Sequence, residues 1–308
     1  MDETTKALQT TDDPTFPDLR RFATSLDVKA TTIDGYTKKV RDFLSWAAQT
    51  NVAHPNTTDV LNYKRELADR DLSPYSVSAY LSALRRFFNW TETEGLYPNI
   101  ARAVRGAKTR RGFNKDALTA TEVRRVLQAS ENDRESALLT LLFTTGLRTI
   151  EVIRADVGDL RTQGDKTILY VQAKGRETKD DFVVVPVKTA ETLYRYLSTR
   201  KPINDSKPLF IGAGNRNRGR LTTRTIRRIV TGSFHRAGLS SQKLTAHSTR
   251  HTAVTLALSA GASVQEAQAL ARHADIGTTM IYAHNLDRLK AGTEDRVAEL
   301  IFGNESAW

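Results

Sequence analysis

Cysteine is absent from this chain of 308 residues, which excludes disulfides, thiol catalysis and cysteine-ligated zinc. Long apolar runs are absent too: nothing approaches the ~18 consecutive apolar residues of a membrane span. The opening MDETTKALQTTDDPTFPDL is polar and acidic and lacks the apolar core of an export signal. A cytoplasmic protein with no membrane partner is therefore expected. What the chain has in excess is positive charge. Lys and Arg number 46 against 35 Asp and Glu, giving a formal net charge of +11 and a pI near 9.8. Such a balance points to a polyanionic partner, nucleic acid first among them. Hydrophobic residues make up 39%, enough for real cores, and at ~100–200 residues per domain the length suggests two domains.

The first hundred residues read as all-helical. Thr31 to Gln49 carries Ile33, Tyr36, Val40, Phe43, Leu44 and Ala47 on one stripe, the helical period. Thr58 to Asp69 reads as a second helix, capped by Thr57 or Thr58. Ser73-Pro74 is a helix-start signal, and the helix it opens carries Val77, Tyr80, Leu81, Leu84, Phe87, Phe88 and Trp90 and stops near Gly95. Pro98 is expected to open a shorter helix. The stretch ARAVRGAKTRRGFNK, residues 101–115, has basic residues Arg102, Arg105, Lys108, Arg110, Arg111 and Lys115 and no acid. It reads as an interdomain tether able to track a phosphate backbone.

A new pattern begins at Asp116. Helices are expected from Thr119 or Thr121 to Ala129, from Ser136 to Thr145 with Gly146 as the stop, and from Leu147 to Val157. Two β-branched runs, Lys166–Gln172 and Phe182–Val187, flank AKGRETKDD and read as a hairpin. Helices resume at Thr189–Thr199, Thr222–Ala237, Ser248–Ala260, Val264–Ala271, Thr278–Tyr282 and Glu294–Ile301. The fold class is mainly α (α+β), with one small antiparallel sheet in the second domain. Residues 216–236 hold a second acid-free basic cluster that includes Arg220, Arg224, Arg227 and Arg228. A helix so loaded with one sign of charge needs an anion to cover it, and it is the candidate major-groove reader.

Five short segments carry candidate chemistry: TTGLRTIEV with Arg148 and Glu151, QAKGRE with Lys174, TAHSTRHT with His247 and Arg250, LARHADI with His273, and TTMIYAH with Tyr282. Singly, each has a bland reading as a solvated charge or a packed polar residue. Together they suit a pentavalent phosphorus transition state. Arginine forks match phosphate oxygens, Lys or His can protonate a departing alkoxide, and a tyrosine can attack phosphorus to form a covalent intermediate. The spacing i, i+3 puts Arg148 with Glu151, and His247 with Arg250, on shared helix faces. His247 and His251 stand i, i+4 as in zinc proteases, but Ser248 follows where that pattern needs glutamate, and Arg250 would repel a cation. No metal is expected, and His251 reads as structural. His235 and His284 receive no assignment.

In this order the six residues Arg148, Lys174, His247, Arg250, His273 and Tyr282 resemble the signature of the tyrosine recombinase (lambda-integrase-like) family, over about residues 14–302. The layout is similar to that of the Xer-type recombinases. The resemblance implies a helical, SAM-like core-binding domain at 14–102, a basic linker at 103–115 and a catalytic domain at 116–308 ending in a docking helix. It implies that Arg148 and Arg250 bind the scissile phosphate, that His273 adds a hydrogen bond, and that Tyr282 attacks to leave a 3′-phosphotyrosine. Lys174 would protonate the 5′-oxygen, His247 would help take the tyrosine proton, and Glu151 would orient Arg148 or His247. No cofactor is implied. The partner is duplex DNA with an inverted-repeat site, bound by monomers that assemble as a homotetramer on a Holliday junction. Whether the biology is chromosome or plasmid resolution or mobile-element integration is left open. A type IB topoisomerase and a non-catalytic DNA-binding regulator are the alternatives. One departure stands out: the family often has Leu-Gly-His where this chain has Ala271-Arg272-His273, losing a glycine and adding a cation in the turn.

Overall fold

The computed structural model describes residues 18–107, 117–173, 175–200, 204–212, 219–291 and 293–302, with side chains at 285–294 left out. The chain divides into two compact units, residues 1–110 and 111–308. Among the described residues no helix is long and apolar enough to cross a membrane.

In the first unit the helices are α1 (Leu19–Thr24), α2 (Ala30–Gln49), α3 (Thr57–Asp69) and α4 (Pro74–Thr93). Their inward stripes close around Phe22, Phe43, Tyr63, Phe87 and Phe88, all fully buried. The rings meet largely edge to face, with centroids 5.1 to 5.9 Å apart for Phe43–Tyr63, Phe87–Phe88 and Phe43–Phe88, the arrangement that ring quadrupoles favour. Ser73 caps α4 with Pro74 behind it, as the sequence signalled. The cap of α3 is Asn56 rather than either threonine: its side chain accepts from Thr58 N while Asp59 accepts from Asn56 N. After Pro98 the chain forms turns, not a helix. Ile100, Ala101 and Val104 are drawn into the core. Two side chains satisfy carbonyls there, Arg85 Nη2 donating to Val104 O at 2.8 Å and Lys64 Nζ to Arg105 O at 2.9 Å.

The second unit contains α5 (Ala120–Gln128), α6 (Asp133–Thr145), α7 (Thr149–Arg154), β1 (Leu160–Gln163), β2 (Lys166–Val171), β3 (Asp181–Val185), α8 (Val187–Ser198), α9 (Thr223–Arg236), α10 (Ser248–Ser259), α11 (Val264–Ala271), α12 (Ile276–Ala291) and α13 (Thr293–Phe302). The sheet order is β1-β2-β3, antiparallel throughout, with Leu160 opposite Leu169 and Leu169 opposite Val183. Apolar nearly all round, α6 is the central helix. It packs on α5, α8, α10 and β3. A second, smaller core forms where α10, α11 and α12 meet, from Val254, Ala267, Ala271 and Tyr282. The strand β1 and the short α1 were not legible in the sequence; both are brief, and β1 is largely solvent-facing.

Candidate active site

The site begins where α6 ends. Gly146 takes the left-handed conformation, φ 59°, as the residue closing the helix, a role that glycine fills without steric cost. The chain turns through buried Leu147 and delivers Arg148 as the N-cap of α7. Three residues on, the Glu151 carboxylate is wholly buried. It accepts from Arg148 N at 2.7 Å, from Arg148 Nη1 at 2.9 Å and from Arg272 Nη2 at 2.7 Å. Burial pushes the Glu151 carboxyl upward, but the charge of Arg272 and the bonds and charge of Arg148 outweigh it and hold the group below the usual carboxylate range.

Arg250 enters from α10 and is 2% exposed. Its Nη1 donates to Gly146 O at 2.7 Å and its Nη2 to Ala271 O. The residue that closes α6 therefore also anchors the second arginine. Burial, and then the neighbouring charge of Arg148, push the guanidinium down to about 9, still cationic at neutral pH. Arg148, His247 and Arg250 line one cavity of about 630 Å³, together with Arg227 and Thr231 of α9. It is an open pocket walled by cations, suited to an anion.

Tyr282 lies on α12, 5% exposed. Its hydroxyl is hydrogen-bonded to His251 Nδ1, and the two rings stack with centroids 5.3 Å apart. His251 in turn meets His247 edge to face at 4.6 Å, and His273 stacks towards Tyr282 at 6.3 Å. Burial pushes the Tyr282 hydroxyl up to about 12 against the opposing pull of Arg250. His273 is pushed down to about 4 by burial and then by Arg250, so it is neutral at physiological pH. Its Nδ1 pairs with Thr279 Oγ1 at 2.9 Å.

Arg148, His247, Arg250, His273 and Tyr282, together with Glu151, thus share one neighbourhood, although they come from four separate segments. The Tyr282 hydroxyl is hydrogen-bonded to His251, for which the sequence suggests a structural role, and His247, the proton acceptor that the family resemblance implies, lies against His251. The contact follows from register: α12 meets α10 about one turn beyond the N-terminus of α10, level with position 251. Arg272 was noticed only as a departure in the turn. Lys174 lies outside the described residues, as do Lys108, Arg110 and Arg111. Arg105 is exposed. Arg224, Arg227 and Arg228 are exposed along α9. Arg220 is differently occupied: its guanidinium donates to Ile153 O at 2.7 Å, to Ala155 O at 3.0 Å and to Asp156 at 2.5 Å, tying the strand-like segment before α9 to the end of α7.

Comparison with known proteins gives the same assignment. The Phage integrase family matches residues 116–288, and the Phage integrase N-terminal SAM-like domain matches residues 17–95. Tyrosine recombinase XerC of Thermodesulfovibrio yellowstonii is 30% identical over 270 residues, covering 82% of this chain and 85% of the relative. Among solved structures, XerH site-specific recombinase bound to a palindromic difH substrate superposes with a TM-score of 0.74 at 20% identity, covering 92% of this chain and 84% of that one. A lambda integrase tetramer bound to a Holliday junction gives 0.66 at 20% identity, covering 86% and 75%. With its paired cationic arginines and buried tyrosine, the chain belongs to the phage integrase family and is a tyrosine site-specific DNA recombinase of Xer-type layout.

Proposed function

We propose that Tyr282 is the nucleophile and that this recombinase cuts and rejoins duplex DNA through a 3′-phosphotyrosine and a Holliday junction. The observation that carries the reading is the Tyr282 hydroxyl bonded to His251, one ring from His247, which lines the cavity shared by Arg148 and Arg250. The arginines bind the non-bridging oxygens of the scissile phosphate and stabilise the charge that builds on them. As the Tyr282 oxygen bonds to phosphorus, its proton passes to His251. Neutral His273, its Nδ1 occupied by Thr279, donates a hydrogen bond to the same phosphate from Nε2. The bond from phosphorus to the 5′-oxygen breaks, and Lys174, between β2 and β3 in the chain, protonates that oxygen. Attack by the 5′-hydroxyl of a second duplex reverses the step. The bond energy stays in the phosphotyrosine, so the residues alone balance the reaction.

The first unit and the exposed Arg224, Arg227 and Arg228 of α9 contact the duplex in this reading, with Arg105 and the basic residues Lys108, Arg110 and Arg111 following its backbone. Monomers bind the arms of an inverted repeat and assemble as four copies, in the cytoplasm where such DNA lies. The C-terminal α13 supports the assembly: Val297, Leu300, Ile301 and Phe302 are 48%, 85%, 64% and 64% exposed, an apolar face that a neighbouring copy would cover. Selection of bound sequences from random duplexes, followed by recombination between two copies of the winner on one plasmid, tests the proposal. Inverted repeats, strand exchange and junction intermediates are expected. Relaxation of a supercoiled plasmid with no exchange between sites would instead indicate topoisomerase activity.

A further inference from the structure

The turn between α11 and α12 holds an arginine where the backbone favours glycine. Arg272 closes α11 in the left-handed conformation, φ 50° and ψ 51°, a region costly to a long side chain. Its side chain does not run out to solvent; it is 9% exposed. Nη2 donates to Glu151 Oε2 at 2.7 Å and Nη1 to Leu270 O at 3.1 Å, while Nε lies 3.7 Å from Asp181 Oδ2 at the start of β3. One residue earlier, Ala271 O accepts from Arg250. One residue later, His273 stacks towards Tyr282. Three consecutive residues thus touch three parts of the site.

Charge gives the arrangement its meaning. Arg148 and a buried, ionised Glu151 alone make a neutral pair, so that Arg148 adds little to the pull that Arg250 exerts on an incoming phosphate. Arg272 shifts that balance by one positive charge: Arg148, Glu151 and Asp181, whose Oδ2 lies 3.7 Å from Arg272 Nε, sum to −1 without it and to zero with it. It also shares Oε2 with the Arg148 backbone N–H, which donates to it at 2.7 Å, so that the Arg148 fork is gripped through Oε1 alone rather than at two points, the geometry that arginine and carboxylate prefer. We propose that Arg272 is a positioning residue for DNA cleavage: by filling Glu151 Oε2 together with the Arg148 backbone N–H and by offsetting the carboxylate's charge, it leaves the Arg148 guanidinium held at one nitrogen and charged towards the scissile phosphate. This deepens the reading of Arg148 as a phosphate ligand and rests on it.

The test compares two nicked suicide duplexes of the selected site. One has an ordinary diester at the scissile position. The other has a methylphosphonate there, in which a methyl group replaces one non-bridging oxygen and removes the negative charge. Arg272→Gly keeps the turn, because glycine accepts a φ of 50°. On the diester, single-turnover cleavage should fall roughly ten- to a hundredfold, the usual loss when an outer partner of a functional ligand is removed, with half-site Kd changed by less than about threefold. On the uncharged phosphonate the variant should approach wild type, since the missing charge no longer has an anion to meet. Arg272→Lys should recover part of the diester rate. If the glycine variant does not fold, Arg272→Asn, neutral and tolerant of the left-handed turn, carries the same comparison. Equal losses on both substrates, or cleavage of the diester at the wild-type rate, would overturn the proposal. Wild-type adduct formation on the diester tests the underlying phosphotyrosine reading separately.

Discussion

Replacing His251 by glutamine keeps a hydrogen-bond acceptor for Tyr282 but removes a group able to carry its proton. The structure sets the size of the effect. With its hydroxyl pushed up to about 12, Tyr282 at pH 7.5 is ionised in only about three molecules in 100,000, because the gap of about 4.5 units fixes that fraction. Waiting for the phenolate is therefore slow, and the proton has to leave as the bond to phosphorus forms. A positioned base typically contributes 10²–10⁴-fold to such a step. His251→Gln should accordingly slow single-turnover adduct formation on a nicked duplex by roughly a hundredfold or more at neutral pH. The deficit should shrink as pH rises, since the phenolate fraction grows about tenfold per unit below the pKa. Half-site binding should be unchanged. A rate close to wild type at neutral pH, or a deficit that stays constant with pH, would refute His251 as the proton acceptor.

Other consequences follow from the same geometry. Arg148→Ala and Arg250→Ala should each lower the cleavage rate roughly a hundredfold or more. Arg250→Ala should also reduce thermal stability, because it strands the buried carbonyls of Gly146 and Ala271 at about 1–3 kcal/mol apiece; an unchanged melting temperature would contradict this. Since Glu151 is held below the usual carboxylate range, its ionisation stabilises the fold above the unfolded pKa of about 4.3 and the contribution disappears as pH falls through the folded value. Glu151→Gln should flatten that part of the acid limb in a thermal-melt series, and an unchanged limb would show that Glu151 does not set it. Half-site affinity, read by titration in rising salt, should fall roughly a thousandfold or more between 50 and 200 mM if ~6–10 phosphates are engaged; a flat response would mean that the exposed arginines of α9 meet no DNA.

Periodic and punctuating residues make most of the fold legible in the sequence. The stripe from Ile33 to Ala47, the Ser73-Pro74 start and the Gly146 stop each correspond to an observed feature. Elements decided by long-range packing were not legible. The segment after Pro98 looks like a helix start, yet its apolar residues are used in the core and its carbonyls are met by Arg85 and Lys64. The active site shows the same division. Residue type and order were enough to nominate Arg148, His247, Arg250, His273 and Tyr282, because the set suits phosphate chemistry and follows the order of the family signature. Which histidine meets the tyrosine depends on the level at which α12 crosses α10, and no spacing within α10 encodes that. Arg220 shows the converse. Its charge suggested DNA, but its donors serve the end of α7 and Asp156.

The central claim is that the Tyr282 oxygen becomes bonded to DNA. Tyr282→Phe removes that oxygen and its bond to His251, leaving the ring to fill the same small core between α10 and α12. Wild-type protein incubated with a nicked suicide duplex should give a covalent adduct, and mass spectrometry of its peptides should place a 3′-linked nucleotide on Tyr282. The phenylalanine variant should bind the half-site as tightly and give no adduct. A covalent adduct that persists in the variant, or that maps to any other residue, would contradict the account.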